Sequence, residues 1–108
     1  MLMVRAIIRI EKVEEVLKEL SVAGFPSVSK MDVVGRGKQK GFKFGDILYD
    51  EIPKEMLLII VNDEDKDAVI NIIMRIAKTG ENGAFGDGKI FVSPVDEAYT
   101  VSTNSKGL

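Results

Sequence analysis

Apolar side chains at Leu2, Val4, Ala6, Ile8 and Ile10 alternate with Met3, Arg5, Ile7 and Arg9, the period-two signature of a strand with one buried face. Ile7 breaks the pattern, being apolar between two arginines on the opposite face. From Glu11 to Ala23 the period lengthens. Val13, Val16, Leu17, Leu20 and Ala23 share a helical stripe, Glu14, Glu15, Lys18 and Glu19 lie outside it, and Gly24 takes the usual C-terminal position. Pro26 forbids continuation of that helix, so Val28 to Val34 predicts a second strand of mixed polarity. Met56 to Val61 is apolar at every position and predicts a strand buried on both faces. Asn62 or Asp63 can cap a second helix with an acidic first turn and a stripe of Val69, Ile72, Ile73, Ile76 and Ala77, closed by Lys78 and Gly80. Lys89 to Val95 predicts a fourth strand, with Pro94 marking an edge or bulge. A short extra strand is placed near Ala98 to Val101.

The order βαββαβ is the α+β, ferredoxin-like arrangement: a four-stranded antiparallel sheet, two helices on one face, and a long loop between strands 2 and 3. A chain of 108 residues is long enough for one core and too short for two. A single domain over 1–108 is expected, with the long loop at 37–54 and a short flexible tail at 102–108. Two helices cover only one face of such a sheet. An all-apolar central strand therefore asks for a second cover, and another copy of the same chain is the economical one.

Composition narrows the chemistry. The chain has 15 basic and 17 acidic residues and a formal net charge of -2, so no overall basic field favours nucleic acid, and no nucleic-acid partner is expected. Without cysteine or histidine there is no disulfide framework or thiolate chemistry, and the commonest metal ligand and general base is missing. The first residues lack the pattern of a signal peptide. The longest apolar stretch, Met56 to Val61, falls far short of the roughly 20 residues of a membrane helix. A cytoplasmic protein without membrane insertion is the expectation.

Two glycine-rich segments stand out. Gly35-Arg36-Gly37-Lys38-Gln39-Lys40-Gly41 interleaves glycines with cations, a composition unsuited to the interior of a regular element. It opens a loop reaching about Lys54, and loops this long within compact domains are usually functional. Gly83-Ala84-Phe85-Gly86-Asp87-Gly88-Lys89 approaches P-loop spacing. It carries Ile90 where a magnesium-binding Ser or Thr is needed, and a strand follows where a helix N-terminus is required. A Walker-type NTPase is excluded. Each segment retains two readings. The glycines before Lys89 form a backbone anion nest with Lys89 as a point charge or a turn leading into a strand, and Gly35 to Gly41 bind phosphate or form a flexible, solvated loop. Gln39 offers hydrogen bonds or a neutral oxygen to a hard cation such as Mg²⁺. Lys54 reads first as a strand-edge charge, and Asp50-Glu51 as solvated loop acids rather than a catalytic pair.

Taken with Thr79-Gly80, Gly86-Asp87-Gly88-Lys89-Ile90-Phe91-Val92 and the opening Arg5-Ala6-Ile7-Ile8-Arg9, these segments resemble the PII signal-transduction family over about Met3 to Val95. The resemblance implies a homotrimer of ferredoxin-like subunits that binds ATP or ADP in the clefts between neighbours and acts as a regulator, not an enzyme. The phosphate loop of the family falls here on Gly86, Asp87, Gly88 and Lys89. The loop base falls on Gly35, Lys38, Gln39 and Lys40, and Ile7 and Ile60 would flank the nucleotide, which accounts for the misplaced Ile7. Family members often bind 2-oxoglutarate beside Mg-ATP through residues that match Gln39 and Lys54. The long loop then changes shape with the ligand and docks on a target protein.

The departures are informative. The loop from Phe42 to Lys54 is shorter than usual, and Tyr49 does not fall where the family's modified tyrosine lies, which argues against uridylylation. Thr100 and Ser102 stand where two phosphate-binding arginines are common. Fewer cations favour ADP or AMP in competition with ATP. The segment Glu81 to Phe85 is longer than usual. The shortened long loop resembles the archaeal, nitrogenase-associated branch, whose implied target is nitrogenase.

Two competing classes share the fold. A small phosphatase or kinase would rest on Asp, Glu, Lys or Ser with no compact constellation in view. An RNA-recognition module needs several sheet aromatics, and Phe91 is the sole aromatic within the predicted strands.

Overall fold

The computed structural model describes residues 1–36, 42–44, 47–49 and 51–108. Its elements are β1 (Leu2–Arg9), α1 (Val13–Val22), β2 (Ser29–Arg36), β3 (Phe42–Phe44), β4 (Ile47–Tyr49), β5 (Glu51–Val61), α2 (Lys66–Ala77), β6 (Gly88–Pro94), β7 (Tyr99–Thr100) and β8 (Ser105–Lys106). Four strands form one antiparallel sheet in the order β2-β5-β1-β6, the ferredoxin-like topology expected from the element order.

One face of the sheet meets both helices. Val4, Ala6 and Ile8 of β1 and Leu57, Ile59 and Val61 of β5 are buried against Val13, Val16 and Leu20 of α1 and Val69, Ile73, Ile76 and Ala77 of α2. The expected stripes hold except at their ends. Ile10 is 46% exposed because the chain leaves β1 at Arg9 and turns through a 3₁₀ segment, Ile10–Lys12. Ala23 lies past the end of α1 and is exposed. Gly24 closes the helix with φ +98°, and the Phe25 N–H donates to the Leu20 carbonyl at 2.8 Å.

Four expectations are corrected. The strand Met56 to Val61 is not buried on both faces of the isolated chain. Leu57, Ile59 and Val61 are buried, whereas Met56, Leu58 and Ile60 are half-buried on the side without helices. The long loop does not run to Lys54 as irregular chain, because β5 begins at Glu51 and the short hairpin β3–β4 lies within the loop. Pro53 is tolerated in β5 because β1 pairing stops at Lys54, so Pro53 pairs only with Val34 of β2 and needs no N–H on its other side. Neither Asn62 nor Asp63 makes a side-chain cap; the Asp63 carboxylate binds the Met1 ammonium at 2.6 Å instead. Finally, Ser105 and Lys106, in the segment expected to be a flexible tail, pair with Tyr99 and Thr100. Lys106 and the Tyr99 hydroxyl both reach Glu97, at 3.6 and 2.8 Å.

Candidate functional site

The face without helices can be read row by row from the strand register. Arg9 stands beside Lys54; Ile7 between Met56 and Lys89; Arg5 between Leu58 and Phe91; Met3 between Ile60 and Ser93. Directly opposite residues share a face, so Ile7, Lys54, Ile60 and Lys89 all lie on this open side. They are not equally close. Ile60 sits four positions from the row of Ile7, about 13 Å along the strands, so one ligand touches both only by lying along them. Phe91 also lies on this face, opposite Arg5 and 46% exposed. It is not the sole strand aromatic, since Phe42, Phe44, Tyr49 and Tyr99 fall in the small hairpins. The four-stranded sheet still presents no aromatic cluster among the described residues.

At the Arg9 end the segment after α2 folds over the edge of this face. Asp87 organises it. Its Oδ1 accepts from Arg9 Nε at 3.1 Å and Thr79 Oγ1 at 2.6 Å; its Oδ2 accepts from the Thr79 N–H at 3.0 Å and the Ala84 N–H at 2.8 Å. Burial alone would raise its pKa, but the bonds from Thr79, Ala84 and Arg9 outweigh burial and hold the carboxyl well below the usual carboxylate range. Arg9 donates a second bond to the Phe85 carbonyl at 2.7 Å, and the Lys54 ammonium donates to the Gly86 carbonyl. Lys54 is itself buried, and that burial, with the Arg9 charge nearby, lowers its pKa. Lys54 is thus more than the strand-edge charge it suggests in isolation.

Gly88 and Gly35 differ in kind. At Gly88, with φ +121°, a Cβ would lie 1.9 Å from the Ile7 carbonyl oxygen, so β6 enters the sheet at this height only without a side chain. At Gly35 a Cβ would meet Lys54 Cγ at an ordinary 3.5 Å. Lys89 follows Gly88, exposed, at the start of the edge strand. On the helix side a groove of about 590 Å³ runs between α2 and β6 and reaches Asp87, Gly88 and Lys89. It joins the site at the loop, not at Ile7 or Ile60.

Gln39, Lys38 and Lys40 lie outside the described residues, as does Asp50. The residues that sequence reasoning passed over are Arg9 and Thr79. Arg9 has a signal in the alternation, since it ends β1 on the open face; nothing local marks Thr79 as a partner of Asp87, eight residues on. Among the described residues no group of three or more acidic side chains is placed to hold a metal ion, and no helix is long and apolar enough to cross a membrane.

Comparisons with known proteins agree on one family. Residues 1–105 match the family described as Nitrogen regulatory protein P-II. The chain is 56% identical, over the full length of both, to a nitrogen fixation nifHD region GlnB-like protein 1 of Methanothermobacter marburgensis. A protein of the same description from Methanococcus maripaludis is 57% identical over the same span. The P-II protein 2 of Methanothermobacter thermautotrophicus is 43% identical, with 94% of this chain and 90% of that protein covered. The crystal structure of Arabidopsis thaliana PII bound to citrate superposes with a TM-score of 0.79 at 33% identity, covering 98% of this chain and 84% of that one. This chain therefore belongs to the P-II family of nitrogen regulatory proteins, in its archaeal nitrogen-fixation-associated branch.

Proposed function

We propose that this protein is a homotrimeric sensor of adenine nucleotides that binds ATP, ADP or AMP in clefts between subunits and controls a target protein through its long loop. The observation that carries the reading is the glycine loop locked onto the cationic end of the open sheet face, with exposed Lys89 at its exit and backbone bare of side chain at Gly88. Phosphates suit such a place because the exposed Lys89 ammonium stands there with Arg9 and Lys54 beside the loop. The half-buried Met56, Leu58 and Ile60 and the exposed Met31 and Phe91 on the same face support association, since apolar surface of this extent favours burial between subunits.

Gly35, Lys38, Gln39 and Lys40 at the loop base and Ile7 and Ile60 on the open face complete the proposed nucleotide contacts. Mg²⁺ would arrive with the phosphates and take an oxygen of Gln39. A 2-oxoglutarate carboxylate fits Lys54, whose ammonium carries three donors and spends one on Gly86. Nitrogenase is the target that fits the nitrogen-fixation names of the relatives. The reading takes residues 1–108 as one cytoplasmic domain.

Calorimetric titration of ATP, ADP and AMP, with and without Mg²⁺ and 2-oxoglutarate, tests the proposal alongside the mass in solution. Saturable binding by a trimer, weakened by Lys89→Ala, is expected. A protein that binds none of the three nucleotides refutes it.

A further inference from the structure

We propose that Asp87 is a positioning residue, held by Arg9 and Thr79, that sets the backbone of residues 84–88 in the shape that receives phosphates while its own carboxylate touches no ligand. The inference deepens the nucleotide reading above and rests on it. An ionised carboxylate offers about four acceptor positions, and here four donors occupy them: Arg9 Nε, Thr79 Oγ1, the Thr79 N–H and the Ala84 N–H. No acceptor position is left for a magnesium ion or a ribose hydroxyl.

The donors come from β1 and from two points of the segment after α2. Arg9 ends β1, Thr79 follows α2, and Ala84 belongs to the loop itself. One side chain therefore pins a ten-residue excursion, 78–87, at both its start and its close. Asp87 also donates its own N–H to the Ala84 carbonyl at 3.2 Å, which makes residues 84–87 a closed turn. The Arg9 bond to the Phe85 carbonyl and the Lys54 bond to the Gly86 carbonyl fix the two peptide groups between. Gly83 and Gly86, at φ +73° and +92°, let the chain follow this path. The Asp87–Arg9 pair is little exposed, with side chains 19% and 24% accessible. The negative charge is thus answered by a cation within the protein, which reduces its repulsion of an incoming polyphosphate.

Coulomb's law by itself says that neutralising Asp87 tightens the binding of an anion. A positioning role says the reverse, and the sign of the change separates the two. Calorimetry with ATP and AMP on the wild type, Asp87→Asn, Thr79→Val and Thr79→Ser, each checked for trimer mass and circular dichroism, reads that sign. In Asp87→Asn the loss of charge-assisted bonds is expected to weaken ATP on the order of tenfold and AMP less, because AMP presents fewer phosphates to the loop. Thr79→Val should show a smaller loss of the same kind, and Thr79→Ser should keep wild-type affinity. ATP binding that is unchanged or tighter in Asp87→Asn overturns the proposal, as does an equal loss for ATP and AMP, which reports general loosening. If Asp87→Asn does not fold, the threonine pair decides: a Thr79→Val protein equal to wild type overturns the proposal. Failure of the wild type to bind ATP, ADP or AMP refutes the nucleotide reading and this inference with it, whereas the variant outcomes refute this inference alone.

Discussion

Replacing Gly88 with alanine would set a methyl group 1.9 Å from the Ile7 carbonyl oxygen, 2.9 Å from its carbon and 3.1 Å from the Ile8 Cα. All three atoms are backbone, in a strand paired on both sides, with β5 and with β6, so none can move alone. Relief requires β6 to lift from β1 near the Gly88–Ile8 pair, which sacrifices one or two ladder hydrogen bonds at about 1 kcal/mol each. The φ of +121° adds strain of about 1–3 kcal/mol for any residue with a side chain. The sum is about 2–5 kcal/mol, a large share of the roughly 5–15 kcal/mol that holds a domain together. Urea unfolding at fixed protein concentration, since association raises apparent stability, measures it. Gly35→Ala is the internal control: its methyl would make ordinary contacts with Lys54 Cγ at 3.5 Å and the Ile52 carbonyl oxygen at 3.8 Å, and a change within about 0.5 kcal/mol is expected. A Gly88→Ala protein as stable as Gly35→Ala would refute the argument, because it would mean that the strand entry yields freely.

Other perturbations test other parts of the account. Leu58→Glu places a carboxylate on the open face, half-buried and opposite Arg5; analytical ultracentrifugation should show loss of the assembled species, and an unchanged mass would move the interface elsewhere. Leu20→Ala removes a fully buried side chain of α1, with an expected cost of about 2–5 kcal/mol, read by denaturant unfolding; less than about 1 kcal/mol would contradict the packing described. Asp87 has a folded pKa depressed from its ordinary 3.8, so the native state stays ionised where the unfolded state takes up a proton. The stability it contributes is present above about pH 4 and is lost as pH falls below that value. Melting temperatures from pH 6 to pH 3 should therefore fall less steeply in Asp87→Asn than in the wild type, and parallel curves would show that the carboxylate is not held as described.

Several elements and the core were legible because they follow from local periodicity. Val13, Val16 and Leu20, or Val69, Ile73 and Ile76, repeat at helical spacing, and Val4, Ala6 and Ile8 alternate, so burial could be assigned without coordinates. The order of elements then left few topologies, and the four-stranded antiparallel sheet with its helices on one side is the one adopted. The candidate loop was legible as well, since two glycines and a lysine at Gly86 to Lys89 mark a special backbone next to positive charge. What sequence could not supply was anything depending on which distant residues meet. The start of β5 at Glu51 is hidden by Pro53, acceptable only because β1 has already ended on that side. Asp87 read only as part of a turn or a phosphate loop until Arg9, 78 positions away, and Thr79 were brought to it. Lys54 looked like a surface charge until the fold buried its stem and turned its ammonium onto Gly86. Secondary structure and core are written in short-range spacing, where a side chain's neighbours are its own near sequence. The site is made of contacts across the sheet, and those exist only once β1, β5 and β6 lie side by side.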